Sequence, residues 1–288
     1  MSFEEGSSNT VYPSKTRYAV FDKYNTSTLE LELTKPAPPN GCEIELEVKP
    51  PDDNDTSSNG GHNHSSNRLV GKLSNKKVTF TGSEVGPKKI KYVSGEVSGV
   101  ETIVAKVAKE DYTSEQKMRV MVPYLVSLER ETDTYVLKQA GVETVNCSTN
   151  YHGDCYSMNK WIKPFFERIA VQYRSAFPKD NRIVLTDGSL PWGGAYSIYS
   201  NWGSLGNKHT YHRIGTDLDI RSKIHGDKFG NGVKKKKNRR MFEEIVCRNH
   251  GYPDLEKVGT VYEHYHIYFW PYRAKHSNIC SDILKEKK

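Results

Sequence analysis

The sequence predicts two domains of different class: an all-β sandwich over residues 1–110, then an α+β domain with an antiparallel sheet over 111–288. Three observations lead there. At 288 residues the chain exceeds the usual size of one domain, about 100–150 residues. Its charge is uneven: the formal total is +7, yet residues 1–60 carry eleven acidic and five basic side chains, so everything after them is strongly basic and suited to anionic surroundings. Apolar residues alternate with a period of two in the first hundred positions, then recur at helical spacing from Met158 onward.

Composition narrows the classes. Apolar residues make up 35% of the chain and 18 Tyr add rings that can fill a core, which excludes a wholly disordered protein. No self-similar period marks a repeat array. No run approaches the roughly 18 apolar residues of a membrane span. The opening MSFEEGSSNT is acidic and lacks an apolar stretch, so no signal peptide is read in it.

In the first domain, residues 28–33 and 42–48 alternate strictly, placing Leu29, Leu31 and Leu33 on one face and carboxylates on the other. Further strands are expected at 77–81, 90–93 and 101–108, separated by Gly, Pro and Ser turns, and such spacing argues a small sandwich. Alone, a module of this kind binds or spaces. Residues 51–67 (PDDNDTSSNGGHNHSSN) cannot bury enough apolar surface to order themselves and read as a mobile loop. The His62-x-His64 pair inside it is a weak metal candidate.

In the second domain, Trp161, Phe165, Ile169, Tyr173 and Phe177 recur every fourth residue and predict a helix over 158–177, with Pro164 in its first turn or at a kink. A strand at 182–187 follows. A second helix over 239–250 stops at Gly251 with Pro253 just beyond, and 264–270 is the last strand. Mixed elements without regular βαβ alternation give α+β. Five cysteines are present. Cys147 with Cys155, and Cys247 with Cys280, are possible disulfides, and five reduced thiols are the alternative.

Two histidine clusters carry the chemistry. The first reads His209-Thr-Tyr-His212-Arg-Ile-Gly215-Thr-Asp217-Leu-Asp219, and the second Glu263-His264-Tyr-His266. On a strand, His264 and His266 share a face, while Gly215 permits a turn that leaves His212 on a loop and Asp219 on the following strand. Two imidazoles and a carboxylate make a three-ligand zinc site with one position open for water. Glu263 or His264 could then collect the proton of that water.

Together with Thr186-Asp-Gly-Ser-Leu-Pro-Trp-Gly-Gly194, these clusters resemble the penicillin-insensitive murein endopeptidases. More broadly the chain is similar to the zinc peptidases that include D-Ala-D-Ala carboxypeptidases, lysostaphin-type endopeptidases and the Hedgehog domain. The resemblance covers roughly 181–269. It implies one zinc ion per chain on His212, Asp219 and His266, with Glu263 and His264 as catalytic residues and His209 near metal or substrate. The chain has Gly188-Ser189-Leu190 where the D-Ala-D-Ala branch carries an Arg, and Val261 where the endopeptidases have a further His. The β domain resembles Ig-like modules of bacterial surface proteins, implying a wall or surface ligand.

The implied activity is hydrolysis of peptide bonds in peptidoglycan stem peptides or cross-links. The alternative is a non-catalytic, zinc-stabilised surface binding or adhesion protein. The substrate lies outside the cytoplasmic membrane, so a secreted or periplasmic location is expected, in keeping with possible disulfides. The basic run at 234–240 (KKKKNRR) reads as a solvated loop, or a surface drawn to an anionic wall polymer. A nuclear-localisation or nucleic-acid patch is the third reading, weakened by the lack of interleaved aromatics, and no nucleic-acid partner is expected. Trp192, Tyr196, Tyr199 and Trp202 either line a groove for glycan or peptide, or pack in the core.

Overall fold

The computed structural model describes residues 1–3, 9–15, 23–52, 60, 70–108, 110–138, 155–178, 182–197, 208–209, 212–222, 236–260, 263–269 and 273–285. His62, His64 and most of the 51–67 loop lie outside them, as do Cys147, Tyr199 and Trp202. The chain forms two compact units, Met1–Pro123 with Trp192–Thr210, and Tyr124–Pro191 with Tyr211–Lys288.

The first unit begins with β1 (Ser2–Phe3), β2 (Thr10–Val11), β3 (Thr26–Glu32), β4 (Cys42–Lys49), β5 (Lys72–Leu73), β6 (Lys77–Phe80), β7 (Lys88–Val93), β8 (Gly99–Val107) and β9 (Thr113–Val120). They make two curled sheets, ordered β1-β3-β7-β5 and β2-β9-β8-β4-β6. Alternation decides what each sheet buries. Leu29 and Leu31 of β3 and Ile90 and Tyr92 of β7 share one core with Ile44 and Leu46 of β4 and Ile103 and Ala105 of β8. Each such side chain contributes about 1.5–3 kcal/mol on burial. The outward carboxylates meet lysines across the strands, Lys89 with Glu30 at 3.5 Å and Lys77 with Glu43 at 2.7 Å. Strand β9 runs past residue 110 and pairs with β8 from Thr113↔Lys106 to Val120↔Gly99.

The second unit contains β10 (Leu125–Ser127), β11 (Tyr135–Leu137), β12 (Ser157–Asn159), helix α1 (Lys163–Ala176) and β13 (Ile183–Asp187). The chain then supplies the first unit with the ribbon β14 (Tyr196–Ser197) and β15 (Lys208–His209). It completes the second with β16 (Asp217–Arg221), α2 (Lys236–Arg248), β17 (Tyr252–Glu256), β18 (His264–Tyr268) and α3 (Arg273–Lys285). The five-stranded sheet is ordered β11-β13-β16-β18-β17. It is mixed, not antiparallel as expected, because β11 pairs parallel with β13. The connection between them carries α1, the kind of crossover that parallel neighbours require.

Helix α1 starts later than its apolar spacing suggests. Residues 157–159 are strand, paired with β10, and Pro164 occupies the first turn. The buried stripe is Phe166, Ile169, Ala170 and Tyr173, while Trp161 is 57% exposed. Trp161 precedes the helix and Phe177 caps it. Within it a strict four-residue spacing overshoots the 3.6-residue turn by about 40° per step, so the core face follows Phe166, Ile169, Ala170 and Tyr173 instead. Tyr173 packs edge-on against Phe242 of α2 at 5.7 Å, and Phe242 meets Tyr265 of β18 at 5.1 Å. The helices therefore cover the face of β18 that carries Tyr265. Helix α2 ends with His250 at φ +63, not with a left-handed Gly251. Gly251 is required there for room, since a Cβ would lie 2.7 Å from Val246 Cγ1.

The last residues of the basic run are not a solvated loop. They open α2, with Asn238 3% exposed, Arg239 paired to Glu263, and an Arg240 guanidinium nitrogen donating to the Ile283 carbonyl. Cys247 and Cys280 form a disulfide joining α2 to α3. Cys155 is also disulfide-bonded, and Cys42 is a free thiol.

Candidate metal centre

The sheet register builds the site. Strands β16 and β18 pair antiparallel with Asp219 opposite His266 and Arg221 opposite His264. Alternation puts Asp217, Asp219, His264 and His266 on one face, and Leu218, Ile220, Tyr265 and Ile267 on the other. His212 arrives from the turn before β16 with φ +66, in the left-handed region. Gly215, at φ +68, lets that turn lie against β10 and β12: an added Cβ would sit 2.5 Å from Leu125 Cδ2 and 2.9 Å from Asn159 N. The turn is tied down by Asn159 N–H donating to the Gly215 carbonyl at 2.9 Å and Gly215 N–H donating to the His212 carbonyl at 3.1 Å.

The two imidazoles and two carboxylates alternate around a ring. His212 Nδ1 is 2.8 Å from Asp217 Oδ1, Asp217 Oδ1 is 4.0 Å from His266 Nε2, His266 Nδ1 is 2.8 Å from Asp219 Oδ1, and Asp219 Oδ2 is 3.5 Å from His212 Nε2. The two rings stack with centroids 4.8 Å apart. His264 joins from the rim, its Nε2 3.5 Å from Asp219 Oδ2. Both His212/Asp217/His266 and Asp219/His264/His266 bring ligand atoms within 4.8 Å of one another, so either group could hold a metal ion. Neither group is the expected set of His212, Asp219 and His266, although both imidazoles approach Asp219, His212 Nε2 at 3.5 Å from Oδ2 and His266 Nδ1 at 2.8 Å from Oδ1. Imidazole and carboxylate donors are types that zinc accepts. Asp219 Oδ1 is buried, with His266 Nδ1 2.8 Å away.

Burial opposes charge throughout this ring, with His212, Asp217 and His266 each at most 2% exposed. At His212 the neighbouring Asp219 and Asp217 outweigh burial and hold the imidazole well above its ordinary value. At Asp219 the converse holds, and His212 and His266 keep the carboxyl well below the usual carboxylate range. The centre thus favours a positive charge at the His212 imidazole, whether a proton or a metal ion.

Of the residues expected from sequence, His212, Asp219, His264 and His266 are brought together. Asp217 is a member that the reading left without a role, although Asp217-x-Asp219 on a strand has the spacing that puts both carboxylates on one face. Asp187 of β13 also stands opposite Asp219 in register. Glu263, expected as a proton acceptor, is 5% exposed and heavily engaged. Its Oε1 accepts from Ser222 Oγ at 3.0 Å and pairs with the Arg239 guanidinium, and its Oε2 accepts the Gly259 N–H at 2.8 Å. Burial pushes the carboxyl up, but these three donors prevail and hold it below its ordinary value. His209 lies in β15, and its side chain is outside the described residues. Trp192 is half-buried against Arg119, 5.4 Å from its ring.

No protein family matches the chain, and no curated protein does. Among solved structures it is similar to the E. coli chaperone DraB, at 12% identity and a TM-score of 0.25 over 43% of this chain and 57% of that one. The chain therefore spans little more than half of that relative, and a likeness so slight bears on neither fold nor function.

Proposed function

We propose that the protein is a zinc-dependent peptidase acting on peptidoglycan stem peptides or their cross-links. The observation that carries the reading is the convergence of His212, Asp219 and His266, with His264 beside them, on the face of a rigid sheet. The substrate class rests on the resemblance of these motifs to the murein endopeptidases. A bound zinc ion supplies Lewis acidity at a scissile carbonyl and acidifies a water molecule. His212, Asp219 and His266 are the residues to hold it, and Asp217 orients His212. His264 is better placed than Glu263 to accept a proton, because its Nε2 faces Asp219 whereas both Glu263 oxygens already accept hydrogen bonds. Glu263 instead fixes the start of β18 against α2.

The two-sheet first unit supports an accessory role of Ig-like type, binding a wall or surface ligand. The disulfide between Cys247 and Cys280 supports a secreted or periplasmic location, since such bonds persist in oxidising compartments. No helix among the described residues is long and apolar enough to cross a membrane. One observation favours a second reading: His212 and His266 are 1% and 2% exposed, as befits a non-catalytic, zinc-stabilised binding protein.

Elemental analysis and turnover test both. Wild-type protein is expected to carry one equivalent of zinc, absent from His212→Ala and His266→Ala, and to release muropeptides from purified peptidoglycan until chelator is added. Zinc without turnover would favour the binding protein. No zinc, bound or taken up, would return these histidines to the core.

A further inference from the structure

Trp161 is where the apolar spacing of the sequence fails most plainly. A residue expected in the core stands 57% exposed, beside Tyr124 at 53%. Their ring centroids are 4.9 Å apart with planes tilted by 58°, so the pair offers two faces at an angle, not one flat stack. The ammonium of the exposed Lys160 stands beside both, 4.3 Å from the Tyr124 centroid and 5.0 Å from that of Trp161. Local breaches of folding rules concentrate where function is served, and this one is built rigidly. Tyr124 takes φ +67, a strained value for an aromatic residue. Its carbonyl accepts the Lys160 N–H at 3.0 Å, and the Trp161 N–H donates to Asn159 Oδ1 at 3.1 Å. The platform is also tied to the metal centre, because Asn159 N–H donates to the carbonyl of Gly215 in the turn that presents His212.

The geometry points to a saccharide-binding platform formed by Tyr124, Trp161 and Lys160, which takes a carboxylate-bearing glycan strand next to the metal centre. A pyranose ring presents a face of polarised C–H groups that packs on the π face of an aromatic side chain, and two tilted rings can hold two successive faces of a twisting chain. Rigid, exposed aromatics lose little side-chain entropy in doing so. Lys160 gives the charge complementarity: an acidic substituent on the sugar meets an ammonium already oriented by the rings. Glycan is favoured over peptide because the exposed residues offer ring faces and a cation. The choice of a wall glycan rests on the peptidase reading; the platform does not.

The experiment titrates the whole protein with soluble peptidoglycan glycan strands stripped of stem peptides, and in parallel with neutral chito-oligosaccharides, following binding by calorimetry. Trp161→Ala is expected to weaken both about tenfold or more, and Lys160→Gln to weaken only the carboxylate-bearing strand. Melting temperature and zinc content of the same samples report on fold and metal centre, and Trp161→Phe, which keeps a ring, is expected to restore part of the affinity. Equal affinity in wild type and Trp161→Ala would overturn the platform, and so would wild-type protein that binds neither probe. Zinc-loaded protein that binds glycan through Trp161 yet cuts no stem peptide would sink the peptidase and leave the platform standing.

Discussion

Asp217 grips His212 at three points. Its Oδ1 accepts the His212 backbone N–H at 2.6 Å and lies 2.8 Å from Nδ1, and its own carbonyl is 3.0 Å from the same ring nitrogen. One residue thus holds both the left-handed backbone of His212 and the tautomer with hydrogen on Nδ1. Nε2 is then the nitrogen that faces Asp219, 3.5 Å from its Oδ2, and the one that must give up its proton when a metal ion binds. Asp217→Asn keeps an acceptor but loses the charge, and it is expected to weaken zinc binding by about 10–100-fold with the fold intact. Asp217→Ala also leaves a buried N–H unmet and costs about 1–3 kcal/mol of stability. Competition against a chromophoric chelator, beside urea denaturation, separates the two effects. Wild-type zinc affinity in both variants would mean that Asp217 has no part in presenting His212.

The engagement of Glu263 makes a prediction opposite to that for a catalytic base. Removing Arg239 takes the one cation from a buried carboxylate that keeps its Ser222 and Gly259 donors, so Arg239→Ala is expected to destabilise the protein by about 1–3 kcal/mol. Because the folded carboxyl sits below its ordinary value of 4.5, its contribution is complete above that pH and fades as pH falls further. The Arg239→Ala penalty should shrink accordingly in acid. A Glu263→Gln protein that loses stability but keeps the wild-type pH profile of turnover would assign the proton to His264. A lost alkaline or acid limb would return it to Glu263.

What could be read beforehand follows from periodicity. Leu29, Leu31, Ile44 and Leu46 declare their faces by strict alternation, and the same period of two puts His264 with His266, and Asp217 with Asp219. The disulfide partners of Cys247 fall at a spacing that many folds could satisfy, so only the packing of α2 on α3 selects Cys280. The partnership of Glu263 with Arg239 links positions 24 residues apart on a helix and a strand end, and no local pattern carries it. Trp161 is exposed because it precedes α1, in the turn after β12, where a spacing of four says nothing about which face is buried. The parallel pairing of β11 was equally hidden, since three residues have no period to read.

The Cys247–Cys280 bond closes a loop of 33 residues that includes β17, β18 and the candidate metal ligand His266. A loop of that length restricts the unfolded chain by about 3.7 kcal/mol in the chain-entropy account. Cys247→Ala is expected to lower unfolding stability by about that amount, and zinc should compensate part of it by binding only the folded state. Melting curves with and without zinc would show this. Equal melting temperatures for variant and wild type would remove the disulfide from the stability of the site.

The first unit carries a titrating group of its own. Glu101 of β8 is 1% exposed, and its Oε2 accepts the Tyr92 hydroxyl and the Gly71 N–H, both at 2.8 Å. Burial outweighs these donors and the Gly95 N–H and pushes the carboxyl up to about 7. From the ordinary 4.5 to about 7 the folded protein holds a proton that the unfolded chain has released. Stability therefore falls as pH rises through that window and levels off above it, by about 3 kcal/mol in all. Glu101→Gln, which cannot ionise, is expected to lose this slope and to become the more stable protein at pH 8. Hydrogen exchange at the β8 amides, read from pH 5 to pH 8, reports on this unit alone. A wild-type minus variant difference that stayed flat or changed sign across the range would show that Glu101 is ionised in the fold, with Gly71, Gly95 and Tyr92 together outweighing its burial.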